Sequence, residues 1–486
     1  MYYTITPQHM RSLEREFMEK CGVSSETLMY RAASHVADAV VPYLTTANAM
    51  VTCFCGTGNN GADALCAMRI LCERGYAFQC NLHVLSGVPT EDFLREKQRL
   101  LSMMDVQWGA PITQSTLIVD ALFGTGLSRP LQGEALLYVQ KINKEKEIPV
   151  LSVDIPSGLH GETGQVMGEA VQATQTICFQ QCKQGLLLGD GIDVAGEVKV
   201  VDIGLPLAPD GRVLEKEDID QLLPKRKRNT HKGHYGKVLL FAGSVGMAGA
   251  AALAGLATLK TGAGLVRIAC PERIVDVVQV LCPCATCLPL PTDEKEAIPL
   301  LCSAVNEADA VVMGCGIGRS EWAKHVVHAL LAHLQENPRP YVMDADALNL
   351  WTAEQPLPSG GLITPHPMEA SRLLNVKVGE IINNPTYWAK VLHEKMGVGV
   401  VLKGACSVLY AQDGWGINPF GTPAMAKGGS GDVLSGIMGA LLAANGRYLR
   451  LTDIALLQLG CALHGLAGEK TSKITGERAM LATDYV

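Results

Sequence analysis

KGGSGDVL, residues Lys427 to Leu434, runs into the apolar stretch VLSGIMGALLAA and sets one carboxylate, Asp432, behind Gly428, Gly429 and Gly431. Glycines at a helix start leave the backbone amides bare, so those amides can reach phosphate oxygens while Asp432 faces a substrate hydroxyl. That arrangement suits phosphoryl transfer, where positioning and electrostatics do most of the catalysis. The plainer alternative is a glycine-rich turn capping a buried helix.

Outward from this motif, apolar strand-like runs alternate with helical stretches: KVLLFAGS, GLVRIAC, DAVVMGCG, PYVMDADAL, GGLITPHP and GVVLKGACSVLY. The rhythm predicts an α/β sandwich, and each run ends in a chemically suggestive loop. GCGIG (Gly314–Gly318) offers a close backbone approach, and DADALNL puts Asp344 and Asp346 on a turn. TPHPMEA carries His366 and Glu369, with His366 either a ligand or a cap; LKGAC places Lys403 where a diphosphate could lie, or in solvent.

The first half repeats the alternation in VTCFCG, NLHVLSG, TLIVDALFG and VLSVDIPSG. Its glycine-rich segments, GTGNNGAD, FGTGLSRP and PSGLHGETG, all follow strands, where ligand loops of parallel sheets lie. Between the halves, PKRKRNTHKGHYG carries five basic residues within Lys225–Lys232 and reads as a solvated linker.

At 486 residues the chain is long for one core, and 48% hydrophobic against 18% charged residues can fill two. A net charge of -7 gives no general attraction to nucleic acid or anionic membrane. The sixteen cysteines lie mostly singly in apolar runs, as in a reducing compartment, and CPCATC (Cys282–Cys287) lacks a second ligand pair nearby. No signal pattern and no apolar run of membrane-spanning length is read, so the expectation is a cytoplasmic enzyme.

Together THKGHYG, GMAGAAALAG, TGAGLVRI, DADALNL, TPHPMEA, LKGA and KGGSGDVLSGI resemble the carbohydrate-kinase-type domain of NAD(P)H-hydrate dehydratases over residues 225 to 486. The resemblance implies a ribokinase-like α/β sandwich that dehydrates NADHX and NADPHX, with ADP or ATP and Mg2+ as phosphoryl donor. It also implies that Lys403, Gly404, Ala405, Cys406, Ser407 and Gly431 bind the nucleotide. Gly316, His366 and Asp432 would bind the hydrated cofactor, with Asp432 catalytic. Cys315 and Met368 stand where the family has a proline and a glycine.

GTGNNGADAL, VDALFGTGLSRP and VDIPSG resemble the NAD(P)H-hydrate epimerase domain across about residues 1 to 215. This implies a Rossmann-like three-layer sandwich with potassium held by Asn60, Asp120 and Ser157. It implies substrate on Asn59, Asn60, Gly61, Ala62 and Asp63, on Gly124, Thr125, Gly126, Leu127, Ser128, Arg129 and Pro130, and on Asp154, the candidate proton-transfer group. Ala62 and Ala64 occupy positions usually glycine in the family, which questions the loop's approach to ligand. Lys183 reads either as an offset to ligand phosphate or as a solvated lysine.

The expected organisation is an epimerase domain over 1–215, a basic linker and domain entry over 216–236, and a dehydratase domain over 237–486. Partners are small molecules, with no nucleic acid or membrane and a homo-oligomer left open. The rival enzymatic reading is a sugar or vitamin kinase fused to a non-catalytic interaction module.

Overall fold

The computed structural model describes residues 1–352 and 356–486. The chain divides into two compact units, Tyr2–Asp210 and Gly211–Val486, the latter grouped with Met1.

The first unit is built on a seven-stranded parallel sheet. In spatial order its strands are Val106–Trp108, Gln79–Val84, Met50–Cys55, Leu117–Ala121, Val150–Val153, Gln175–Phe179 and Glu197–Val201. The central strands are buried throughout, which explains why they read as continuous apolar runs rather than alternating ones. Strand order reverses between Met50–Cys55 and Leu117–Ala121, so the loops after these strands diverge and leave a crevice at their carboxyl ends. All three glycine-rich segments of the first half open at this end.

In the second unit, seven parallel strands run in the order Thr286–Leu290, Leu265–Pro271, Lys237–Phe241, Ala310–Met313, Tyr341–Met343, Gly361–Ile363 and Gly399–Leu402. The antiparallel strands Ser407–Ala411 and Gly414–Asn418 extend this sheet, and Arg212–Val213 pairs in parallel with the latter. Order reverses again, here between Lys237–Phe241 and Ala310–Met313.

The break between units falls before the expected linker, so residues 211–236 belong to the second unit. Leu214 and Ile219 are buried in its core, and Gly211 lies against the Trp415 indole. The basic stretch is exposed yet anchored: Arg226 sits over the Tyr235 ring, 3.8 Å from its centre, and donates to the Gly262 carbonyl at 2.6 Å. Charge density marked it as solvated, but an arginine can stack its plane on an aromatic face and keep its charge in water.

The helix Ser430–Ala444 presents Asp432 in its first turn, as KGGSGDVL predicts. Gly429 caps it at φ 94°, a left-handed conformation that side chains resist, and any Cβ there would fall 2.7 Å from Leu253. The helix packs closely on Ala248–Thr261, since a Cβ on Gly436 would meet the Ala254 carbonyl oxygen at 2.3 Å. We expect Gly436→Ala to force these helices apart and destabilise the second unit by about 1–3 kcal/mol, read as a lowered Tm.

Candidate active sites

In the first unit, GTGNNGAD turns directly into a helix, Asn59–Glu73, so residues 59–63 form its first turn rather than a free loop. Ala62 and Ala64 are fully buried there with ordinary helical backbone. Neither position therefore needs the positive φ that glycine allows. The position that does require glycine is Gly61, whose Cβ would lie 2.0 Å from the Gly56 carbonyl oxygen.

Around this helix start lies a cavity of about 860 Å³. It gathers Asn59, Asn60 and Asp63 with Gly124, Thr125, Gly126, Leu127, Arg129, Pro130 and Asp154. Gly61, Ala62 and Ser128 do not line it.

Asp120 is fully buried without an ionic partner among the described residues. Its Oδ2 accepts from Ser152 Oγ and Ser157 N, each at 2.8 Å. Burial pushes its pKa up despite these bonds. Ser157 Oγ, near the Phe123 backbone, and Asn60, whose Nδ2 is buried without a partner, bring further polar groups to this region. Gly124 lies beside Asn60.

Lys183 is not the solvated lysine that the sequence allowed. It is neither solvated nor free: only 1% exposed, it donates to Asp154 Oδ1 at 2.5 Å and to the Phe179 carbonyl at 2.7 Å. Burial alone would lower its pKa, but the Asp154 charge outweighs that and holds it above the usual lysine value. Asp154 itself has φ 65° and also accepts the Phe179 amide at 3.1 Å. A non-glycine residue held left-handed at a cavity wall is strained backbone over-determined by its surroundings.

In the second unit a lysine again lies against an aspartate. Lys403 Nζ is 2.8 Å from Asp344 Oδ1 and 3.9 Å from Glu369 Oε2. Burial opposes its charge, yet Asp344 and Glu369 keep its pKa raised, so it is not a merely solvated strand-end lysine. The other Asp344 oxygen accepts Ser435 Oγ at 2.7 Å, which links the DADAL turn to the helix bearing Asp432. Gly431 follows on the same helix start, where a Cβ would lie 3.4 Å from Lys403 Nζ. The strand-end position of Lys403 thus meets KGGSGDVL in space. Gly404 is open and Cys406 half-buried, with its thiol pushed up to about 12 by burial, while Ala405 is exposed and Ser407 begins the next strand.

His366 is a cap. Its Nδ1 accepts from the Met368 and Glu369 amides at 3.1 and 3.2 Å, and Glu369 accepts the His366 amide in return at 2.8 Å. Nδ1 must then be unprotonated, leaving Nε2–H, 3.3 Å from Glu369 Oε1. Burial, with Lys403 next, lowers the His366 pKa and keeps the ring neutral. Met368 sits in the helix's first turn with its side chain outward, so no glycine is required.

Cys315 is fully buried with its thiol against Asp432. Gly316 holds φ 63° close to Met247 and Ala250, and Ser244 Oγ fixes its carbonyl at 2.9 Å. Lys427, first residue of the opening motif, spends its ammonium on the Arg478 and Met480 carbonyls rather than on the site. Sequence reading passed over His464, whose Nε2 lies 3.5 Å from Ser430 Oγ and whose pKa burial lowers to about 4. Nothing in its local sequence singles it out.

The comparisons with known proteins divide the chain in the same way. A model described as NAD(P)H-hydrate dehydratase matches residues 238–486, and one described as YjeF-related protein N-terminus matches residues 25–185. The bifunctional NAD(P)H-hydrate repair enzyme of Coxiella burnetii is 34% identical over 98% of this chain and 96% of its own length. Its Escherichia coli counterpart is 35% identical over 98% of this chain and 91% of its own. The chain belongs to the bifunctional NAD(P)H-hydrate repair enzyme family. A ribokinase-like superfamily protein from Enterococcus faecalis superposes with a TM-score of 0.50 at 25% identity, over 56% of this chain and 92% of that one.

Asp432 is a carboxyl strongly altered by its surroundings in the second unit. Burial, then the like charge of Asp344, raises its carboxyl to about 7, against opposing help from Cys315 and Lys403. A carboxyl raised in the folded state stabilises the fold below its unfolded pKa, and that contribution is lost as pH rises toward 7. Relative to the unaltered chain, Asp432→Asn is expected to gain Tm progressively between pH 4 and pH 8, measured by thermal unfolding across that range. A Tm difference independent of pH would contradict the shifted carboxyl.

Proposed function

We propose that the first unit interconverts the R and S forms of NADHX and NADPHX, and that the second dehydrates the S form at the expense of ADP or ATP. The observation that carries this reading is the meeting of Asp432, poised near neutral pH, with Lys403 and the bare amides around Gly431. A carboxyl near pH 7 can take a hydroxyl proton, while an ammonium and backbone N–H groups receive the transferred phosphoryl.

The chemistry follows. Hydration leaves a hydroxyl on C6 of the nicotinamide ring, and hydroxide is a poor leaving group. Transfer of the terminal phosphoryl to that oxygen, with Asp432 taking its proton, makes phosphate the leaving group. The ring nitrogen's electron pair expels it, and loss of a C5 proton restores the double bond. ADP thus yields AMP, or ATP yields ADP, with free phosphate and the reduced cofactor. Lys403 to Ser407 with Gly431 serve the nucleotide; Gly316 and His366 serve the hydrated cofactor. Mg2+ arrives with the nucleotide phosphates and offsets their charge.

For the first unit, the unpaired buried charge of Asp120 supports a monovalent cation among Asn60, Asp120 and Ser157, such as potassium. One carboxylate and neutral polar side chains form a hard donor set suited to a weakly charged cation. Lining a cavity with Asn59, Asp63, the 124–130 segment and a constrained Asp154 fits a small polar substrate.

The test is a paired assay on the full chain with mixed epimers, ADP or ATP, and potassium present or absent, following return of reduced-nicotinamide absorbance. Asp432→Asn should lower dehydration by about two orders of magnitude or more and leave epimerisation intact. Asp120→Asn should do the reverse and abolish any dependence of epimerisation on potassium. Release of a stable phosphorylated compound without reduced cofactor would instead establish a small-molecule kinase.

A further inference from the structure

The cavity of the first unit contains an acidic side chain with no role in the reading above. Glu14, on the helix Pro7–Cys21, lines it together with Asp63, Asp154 and Arg11. Among the described residues its carboxyl makes no hydrogen bond or ion pair. Asp63 is likewise without such a partner but sits near the start of the helix Asn59–Glu73, whereas two other acidic groups of the wall are occupied. Glu134, also on the wall, accepts both the amide and the hydroxyl of Ser86. Asp154 is committed through Oδ1 to Lys183 and Phe179.

Electrostatics agree with this free position. Burial raises the Glu14 pKa, the Asp154 charge adds to it, and Lys183 and Arg11 oppose it. Asp63 is raised as well, by burial first and then by Asp154 and Glu14. Arg129 completes the charged lining. Three carboxyl groups thus share one buried lysine and the arginines of an open cavity, where the Asp154 charge disfavours ionisation of Glu14 and Asp63.

Resting on the epimerase reading of this unit, we propose that Glu14 is its second proton-transfer group. Exchange of configuration at C6 requires an acid for the departing oxygen and a base for the arriving one, and the two carboxyls here come from different walls: Asp154 from a strand end, Glu14 from a helix outside the sheet. Glu14 gives its proton to the C6 hydroxyl as the C6–O bond breaks; the oxygen leaves as water and the ring nitrogen's lone pair forms the N1=C6 bond. Water then adds to the other face of C6, the pair returns to nitrogen, and Asp154 takes the proton released. One water leaves and one enters, nothing is oxidised or reduced, and proton exchange with solvent in the cavity resets both groups.

The experiment uses the full chain with R-NADHX, comparing Glu14→Gln and Glu14→Asp with the unaltered protein. Glu14→Gln should lower epimerisation kcat by about 100-fold with KM within threefold, and Glu14→Asp should recover part of it. Because Glu14 acts in its protonated form, the unaltered rate should fall as pH rises through its pKa, and this limb should vanish in Glu14→Gln. Reaction in isotopically labelled water should place one solvent oxygen on C6 per turnover. Dehydration of the S form should not change. Epimerisation within threefold of normal in Glu14→Gln, a defect confined to KM, or a persisting alkaline limb would each overturn the proposal while leaving the epimerase reading in place. Absence of epimerisation by the unaltered chain would overturn both.

Discussion

A lysine taken out of water against an aspartate organises each site: Lys183 on Asp154 at 2.5 Å and Lys403 on Asp344 at 2.8 Å. Stripping an ammonium of solvent costs several kcal/mol, and only a well-placed carboxylate with further hydrogen bonds offsets it. The surrounding structure answers that demand. Phe179 supplies both a carbonyl to Lys183 and an amide to Asp154, while Ser435 supplies a hydroxyl to Asp344. Because these partners lie on separate strands and helices, each pair ties its elements together at the carboxyl end of its sheet. Asp154 and Asp432, the groups proposed to react, inherit their places from that tie.

The same two pairs set the electrostatics in opposite senses. Asp154 is itself a member of its pair, with a cation at hydrogen-bond distance. Asp432 stands outside its pair, beside an aspartate whose oxygens are already spent on Lys403 and Ser435, so it feels a negative neighbour and a buried surface together. A fold can therefore bind one carboxylate directly to a lysine and leave another near neutrality by choosing which of them the lysine touches.

Most of the architecture was legible because strand ends announce themselves. Continuous apolar runs closing on glycine or aspartate located the central strands, and KGGSGDVL located the helix of Asp432 from its glycines alone. What escaped was every property that depends on side chains meeting from distant segments. Lys183 looked like a surface residue because its partner lies 29 positions away, and Glu14 belongs to a helix that no motif connects with the cavity. The basic stretch before Lys237 failed for a related reason: charge reports an affinity for water, whereas Arg226 satisfies its charge at the surface and packs its plane on Tyr235.

Backbone geometry separates the substitutions that matter from those that do not. Ala62 and Met368 occupy helical first turns, and neither has positive φ, so the glycines found at such positions in the family are not demanded by conformation here. Gly316 and Gly429 do hold left-handed backbone against neighbours within about 3 Å, so glycine is demanded at both. Cys315 is the departure with a chemical consequence, since a thiol donating to Asp432 favours its ionised form, a service that a proline in that place could not render. The carboxyl poised near neutrality is thus the balance of a buried aspartate pushing one way and a lysine and a cysteine pulling the other.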